Sequence, residues 1–148
     1  MSRRRRRLVI AVGVLLFLAI SFELARWLTL EDLERTRILS FLTAEARGEA
    51  SVMLSELHGC EARCRADVRS DARTLKRSGA VLILADQSAT AYALTSTTGK
   101  TRVAWKSTRG QLPVVQCVTV QRKGNVVSGL TLTLLGVSLP LHPTTADC

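Results

Sequence analysis

Four cysteines, Cys60, Cys64, Cys117 and Cys148, and two histidines, His58 and His142, are the side chains best suited to chemistry in this 148-residue sequence. An even number of cysteines in an exported chain points to two disulfides. Three pairings are open, and sequence alone does not select among them. Cys60 and Cys64 stand one turn apart on a helical pattern, near the upper end of the ~4.4–6.8 Å Cα separation that a bridge accepts, so a bridge inside a regular helix is awkward. The favoured arrangement ties the helix to the sheet and to the tail. Cys117 falls mid-strand, and Cys148 would pin a loose end. Each long-loop bridge would contribute about 2–4 kcal/mol. The other reading of Cys60 and Cys64 is two buried thiols acting as small apolar side chains.

A metal site would draw on His58, Cys60 and Cys64, with Cys117 or Cys148 as fourth ligand. H-x-C-x3-C is not a zinc-ligand spacing of any specificity, and no metal is expected. The C-x-x-C of redox proteins and the C-x-x-C-H of haem attachment are both missing, and no cofactor is expected. The sequence holds no G-x-S-x-G, H-E-x-x-H or Gly-rich phosphate loop. Glu45, Glu49 and Glu56 read as a solvated helix face with Arg47 beside them. Beyond Ala85 the only acids are Asp86 and Asp147, so the strand region offers no acid–base pair. A non-enzymatic protein is expected.

The positive charge is concentrated at one end. The formal net charge is +9, but five of the 21 basic residues are Arg3, Arg4, Arg5, Arg6 and Arg7. The rest of the chain has 16 basic against 12 acidic residues, a net of +4. Only Trp105, between Arg102 and Lys106, interleaves an aromatic with cations, so nucleic acid is not an expected partner.

Residues 8–22 follow the arginines without a charge. Polybasic then apolar is the layout of an export signal, and the arginines are the part retained in the cytoplasm. As a helix this run spans about 22 Å, short of the ~30 Å hydrocarbon core. Leu24, Ala25, Trp27 and Leu28 extend it past Glu23 and Arg26, with Trp27 as an interfacial anchor. The expected organisation is a basic cytoplasmic tail over 1–7, a transmembrane signal-anchor over 8–28 and an extracytoplasmic domain over 29–148. That places the protein in the cytoplasmic (inner) membrane as a single-pass protein. Cleavage at Ala19-Ile20-Ser21, giving a secreted disulfide domain, is the competing reading. Helical patterning that runs through this site favours retention.

The domain must position its cysteines with helix first and sheet second. Thr29 and Asp32 have capping-box spacing, marking either a break or a bend in a continuous helix. Leu30, Leu33, Ile38, Phe41 and Leu42 repeat at helical intervals, and Gly48 and Gly59 are weak points in the pattern. A second helical stretch covers 60–77 and stops at Ser78-Gly79. β-Branched residues and turns then dominate. Strands are expected over 80–85, 91–97, 101–107, 114–122 and 127–139, with hairpin turns at Thr98-Gly99-Lys100 and Lys123-Gly124-Asn125. Helical 29–78, β 80–139 and a tail over 140–148 define an α+β domain. One long or two shorter amphipathic helices would pack on a four- or five-stranded antiparallel meander.

An apolar N-terminal helix continuing into an amphipathic one, then an antiparallel sheet and a late cysteine, resembles the layout of type IV pilins and pseudopilins. The basic leader resembles theirs too. The likeness is one of element order: Gly13 lies inside the apolar run and Glu23 ten residues on, whereas the family has Gly at the leader cut and Glu at the fifth position after it. The resemblance implies a filament or secretion-system subunit. The residues themselves imply an anchored binding or structural component of the cell envelope, with the membrane and other envelope proteins or copies of itself as partners.

Overall fold

The computed structural model describes residues 3–89, 96–109, 112–125, 129–142 and 148, without the side chains of 3, 4, 26–28, 30, 125, 129 and 130. Two units are resolved by their internal contacts, Met1–Leu33 and Glu34–Cys148.

The first unit is helical throughout its described length and belongs to α1 (Arg3–Arg47). The 21-residue stretch Arg5–Ala25 contains an 18-residue run with a mean hydropathy of 2.6, and none of that run is buried. At ~1.5 Å per residue the stretch matches the ~30 Å core of a bilayer, so this helix is long and apolar enough to cross one. Arg5, Arg6 and Arg7 are exposed. The side chains of Arg3, Arg4 and Trp27 lie outside the described part. Thr29 caps nothing: its Oγ1 donates to the Ala25 carbonyl at 2.8 Å, a back-bond available only within a running helix. Of the two readings of the capping-box spacing, the continuous helix is the one observed.

The second unit is α+β. The rest of α1 is followed by α2 (Ala50–Glu56) and α3 (Ala62–Thr74), then β1 (Val81–Ser88), β2 (Ser96–Ser107), β3 (Val114–Asn125) and β4 (Gly129–Val137). The four strands form one antiparallel meander in the order β1-β2-β3-β4. Thr98-Gly99-Lys100 is not a turn. β2 runs through it, pairing Gly99 with Val120 and Lys100 with Thr119. A continuous ladder outweighs the turn preference of one glycine, because each residue of this stretch has a partner on β3. The expected strand residues 91–95, 127 and 128, and residues 143–147 of the expected tail, lie outside the described residues.

Periodicity explains how helix meets sheet. Glu34, Ile38, Phe41, Leu42 and Glu45 recur at the 3.6-residue repeat on one face of α1, and all five are buried. On β3, Gln116, Val118, Val120 and Arg122 alternate onto one face and are buried as well. β2 supplies Val103 and Trp105 and β4 supplies Leu132 and Leu134, in register with them. Glu34 bonds Arg122 and Glu45 bonds Gln116, so α1 descends as β3 ascends.

α1 ends at Gly48, with φ +75°. The Gly48 amide donates to Glu45 O and the Glu49 amide to Ala44 O, both at 2.9 Å. This pair of bonds is a Schellman motif. A Cβ on Gly48 would lie 2.9 Å from Ala72 O of α3, so glycine also allows the two helices to approach. α2 ends shortly before Gly59, with φ +71°. The intervening Leu57 and His58 lie along β4, and the His58 amide donates to Leu134 O at 2.8 Å.

Candidate functional site

The polar groups that the fold draws together lie in two buried couples between α1 and β3, one at each end of their contact. At the first, Arg122 donates through Nε to Glu34 Oε2 at 3.1 Å and through Nη2 to the same oxygen. Thr101 Oγ1 donates to Glu34 Oε1, and Ser88 Oγ lies 3.5 Å from Arg122 Nη2. Both side chains of the ion pair are about 5% exposed or less. The charges are therefore nearly dry, and their mutual bonds offset the loss of water.

The second couple is a relay. Trp105 Nε1 donates to Gln116 Oε1 at 2.7 Å, and Gln116 Nε2 donates to Glu45 Oε1 at 2.9 Å. All three side chains are fully buried. Asp71 of α3 is also buried. Among the described residues, Glu45 Oε2 and both carboxyl oxygens of Asp71 accept no hydrogen bond. Burial pushes the Glu45 carboxyl up to about 7; the Gln116 bond opposes this, and the charge of Asp71 adds to it. Burial pushes Asp71 up to about 6, with Asp67 as a second cause. Chemically, this cluster can hold and release a proton near neutral pH.

The Glu45 result corrects the reading of a solvated acidic face. Of the three glutamates, Glu49 is exposed and Glu56 half-buried, accepting from Ser40 at 3.0 Å and pairing with Arg37 at 3.6 Å. Glu45 is in the core. The signal was available: Glu45 lies seven residues past Ile38 and four past Phe41, on the apolar face. What the sequence does not show is Gln116, the donor that makes the burial tolerable. Trp105 is likewise core and offers no surface ring.

The cysteines form two bridges, Cys60–Cys64 and Cys117–Cys148. Neither is the pairing favoured from the sequence, which ties the helix to the sheet and to the tail; Cys148 is pinned, but to the sheet. The helix-to-sheet bridge is not formed. Cys60 precedes α3, beyond the turn at Gly59, and its Cα is 5.3 Å from that of Cys64. The objection to a bridge across one helical turn lapses because Cys60 lies outside the helix. Cys117 is buried, on the face of β3 opposite Gln116. Its amide donates to Ser138 Oγ at 2.9 Å, and Lys100 Nζ donates to Cys148 O at 2.8 Å. His58 and His142 are exposed. With all four sulfurs in bridges, His58 is not joined by thiolates.

Comparison with protein-family models, with curated proteins and with solved structures finds no match for this chain.

Proposed function

We propose that the chain is a single-pass protein of the cytoplasmic (inner) membrane, with Arg3–Arg7 on the cytoplasmic side and unit Glu34–Cys148 outside, acting as a non-enzymatic binding or structural component of the cell envelope. The observation that carries this reading is Arg5–Ala25: 21 apolar-rich helical residues, none of them buried, beginning within the run of arginines. An unburied apolar helix of that length loses free energy in water and gains it in lipid. Positive charge at its start favours an inward N-terminus. Two bridges in the following unit suit an oxidising compartment. The partners we propose are the membrane and other envelope proteins or further copies of this chain, not nucleic acid. Mass determination of the mature protein in washed membranes tests retention. An intact N-terminal segment that resists alkaline extraction is the expected result; a mature start near Phe22 makes the protein a secreted domain instead.

One observation favours a second reading. α1 is unbroken from the apolar segment into the residues that pack on a meander sheet, which is the element order of pilin-like subunits. On that reading the apolar helices bundle, and replacing Glu23 abolishes assembly. A protein that stays monomeric and dispersed in mild detergent excludes it.

A further inference from the structure

α3 is held to the rest of its unit by a thin seam. Only Val68, Asp71 and Ala72 of its thirteen residues are buried. Neither disulfide fastens it to the sheet: one closes on its own first turn and the other joins β3 to Cys148. It packs on α2 and touches β4, and it meets the end of α1 where Gly48 approaches Ala72 O and the Arg77 amide, just past α3, donates to Ala46 O at 2.8 Å. In the middle of this seam lie Glu45 and Asp71, two carboxyls almost wholly out of water, with three of their four oxygens accepting no hydrogen bond among the described residues. Two carboxylates buried in one seam cannot both ionise without a large electrostatic cost.

We infer that the α1–α3 contact is a proton-gated latch: it is closed while the Glu45–Asp71 pair holds a proton and loosens when both carboxylates are ionised. One proton removes one of the two repelling charges. Losing it leaves two buried negative charges, and the relief is to move α3, whose buried residues are confined to Val68, Asp71 and Ala72. The surrounding charges set the balance. Asp67, one turn earlier on α3, adds repulsion. Gln116 of β3 favours ionised Glu45 through its one bond. Lys76 and Arg77 follow α3, and the Lys76 stem passes Gly48. Neither is bonded to the Asp71 carboxyl. The raised affinities of both acids for protons place the transition between the ordinary carboxylate range and mild alkalinity.

Hydrogen exchange by mass spectrometry on the full chain in detergent tests this, comparing amides of α3 with those of β3 at about pH 5 and about pH 8, each over a series of urea concentrations, after correction for intrinsic rates. The expected result is that α3 protection falls at least about tenfold on going to the higher pH, through an opening that urea promotes less than it promotes the exchange of β3. A carboxyl that binds its proton tenfold more tightly in the closed latch than in the open one changes the opening equilibrium by that same factor once the proton is gone. In Asp71→Asn, and independently in Glu45→Gln, that fall shrinks to less than about threefold. α3 protection in the unmodified protein that does not change with pH overturns the inference, whether or not the variants fold. So does α3 exchange with the same urea dependence as β3 at both pH values, because the loss is then global unfolding and not the opening of a latch.

Discussion

Arg122 of β3 closes on Glu34 of α1 from 88 residues away in sequence, and the two buried side chains share one carboxylate oxygen between Nε and Nη2. Eleven residues further along the same helix face, Glu45 meets Gln116 on the same strand face. Ile38, Phe41 and Leu42 fill the space between. The helix–sheet interface is thus an apolar strip with a polar lock at each end. A slip of one residue on β3 would turn both locks to the opposite face of the sheet.

Removing one half of the first lock leaves the other charge buried. Arg122→Met or Glu34→Gln is expected to cost about 3–5 kcal/mol in urea unfolding of the full chain. The pair Glu34→Leu with Arg122→Met is expected to lose far less than the sum, because no charge remains to desolvate. Additive losses would show that the two side chains act separately.

The second lock sets a pH dependence of stability. The folded pKa of Glu45, about 7, lies above its ordinary 4.5, and that of Asp71, about 6, lies above 3.8. The folded state therefore holds more protons than the unfolded state between those values. The contribution of these groups is fully present below the ordinary carboxylate range. It is lost as pH rises through about 6 and about 7. Chemical unfolding should show stability falling across that window by on the order of 3 kcal/mol. Glu45→Gln should flatten the fall and be the more stable protein at mildly alkaline pH.

The two disulfides should contribute unequally. Cys117–Cys148 joins residues 31 apart in sequence and Cys60–Cys64 residues 4 apart. On the loop-entropy account the first is worth about 3–4 kcal/mol and the second about 2 kcal/mol. Thermal unfolding of the two paired Cys→Ala variants measures this; the Cys117/Cys148 variant should melt lower.

Gly48 and Gly59 separate backbone strain from crowding. Both have positive φ, but a Cβ would meet Ala72 O at 2.9 Å at Gly48 and open space at Gly59. Gly59→Ala should cost about 1–2 kcal/mol for the left-handed conformation alone. Gly48→Ala should cost more, because Ala72 O is backbone and must move with α3. Urea unfolding of the two variants side by side checks the order.

Much of this fold is legible in the sequence because it follows from local rules. The 3.6-residue repeat of Ile38, Phe41 and Leu42, the glycines at 48, 59 and 79 and the change to β-branched residues after them mark helices, breaks and sheet. Gly99 misleads because a turn preference is weak beside a full ladder on β3. The Cys60–Cys64 bridge looks awkward only if helix is assumed where Gly59 leaves a turn. Residue type assigns Glu45 to solvent, although its spacing puts it inside. Glu34–Arg122 and Glu45–Gln116 join residues 88 and 71 apart. Such pairings depend on the strand–helix register, which no local pattern encodes.

The claim on which the functional account rests is that Arg5–Ala25 crosses a membrane with the folded unit on the outer side. Protease digestion of sealed right-side-out and inside-out vesicles, read by mass spectrometry of fragments from Arg3–Arg7 and from Glu34–Cys148, tests it most directly. Fragments of the folded unit are expected only from right-side-out vesicles and arginine-segment fragments only from inside-out ones. Both segments cut from the same face, or the whole chain lost with the soluble fraction, would contradict the claim.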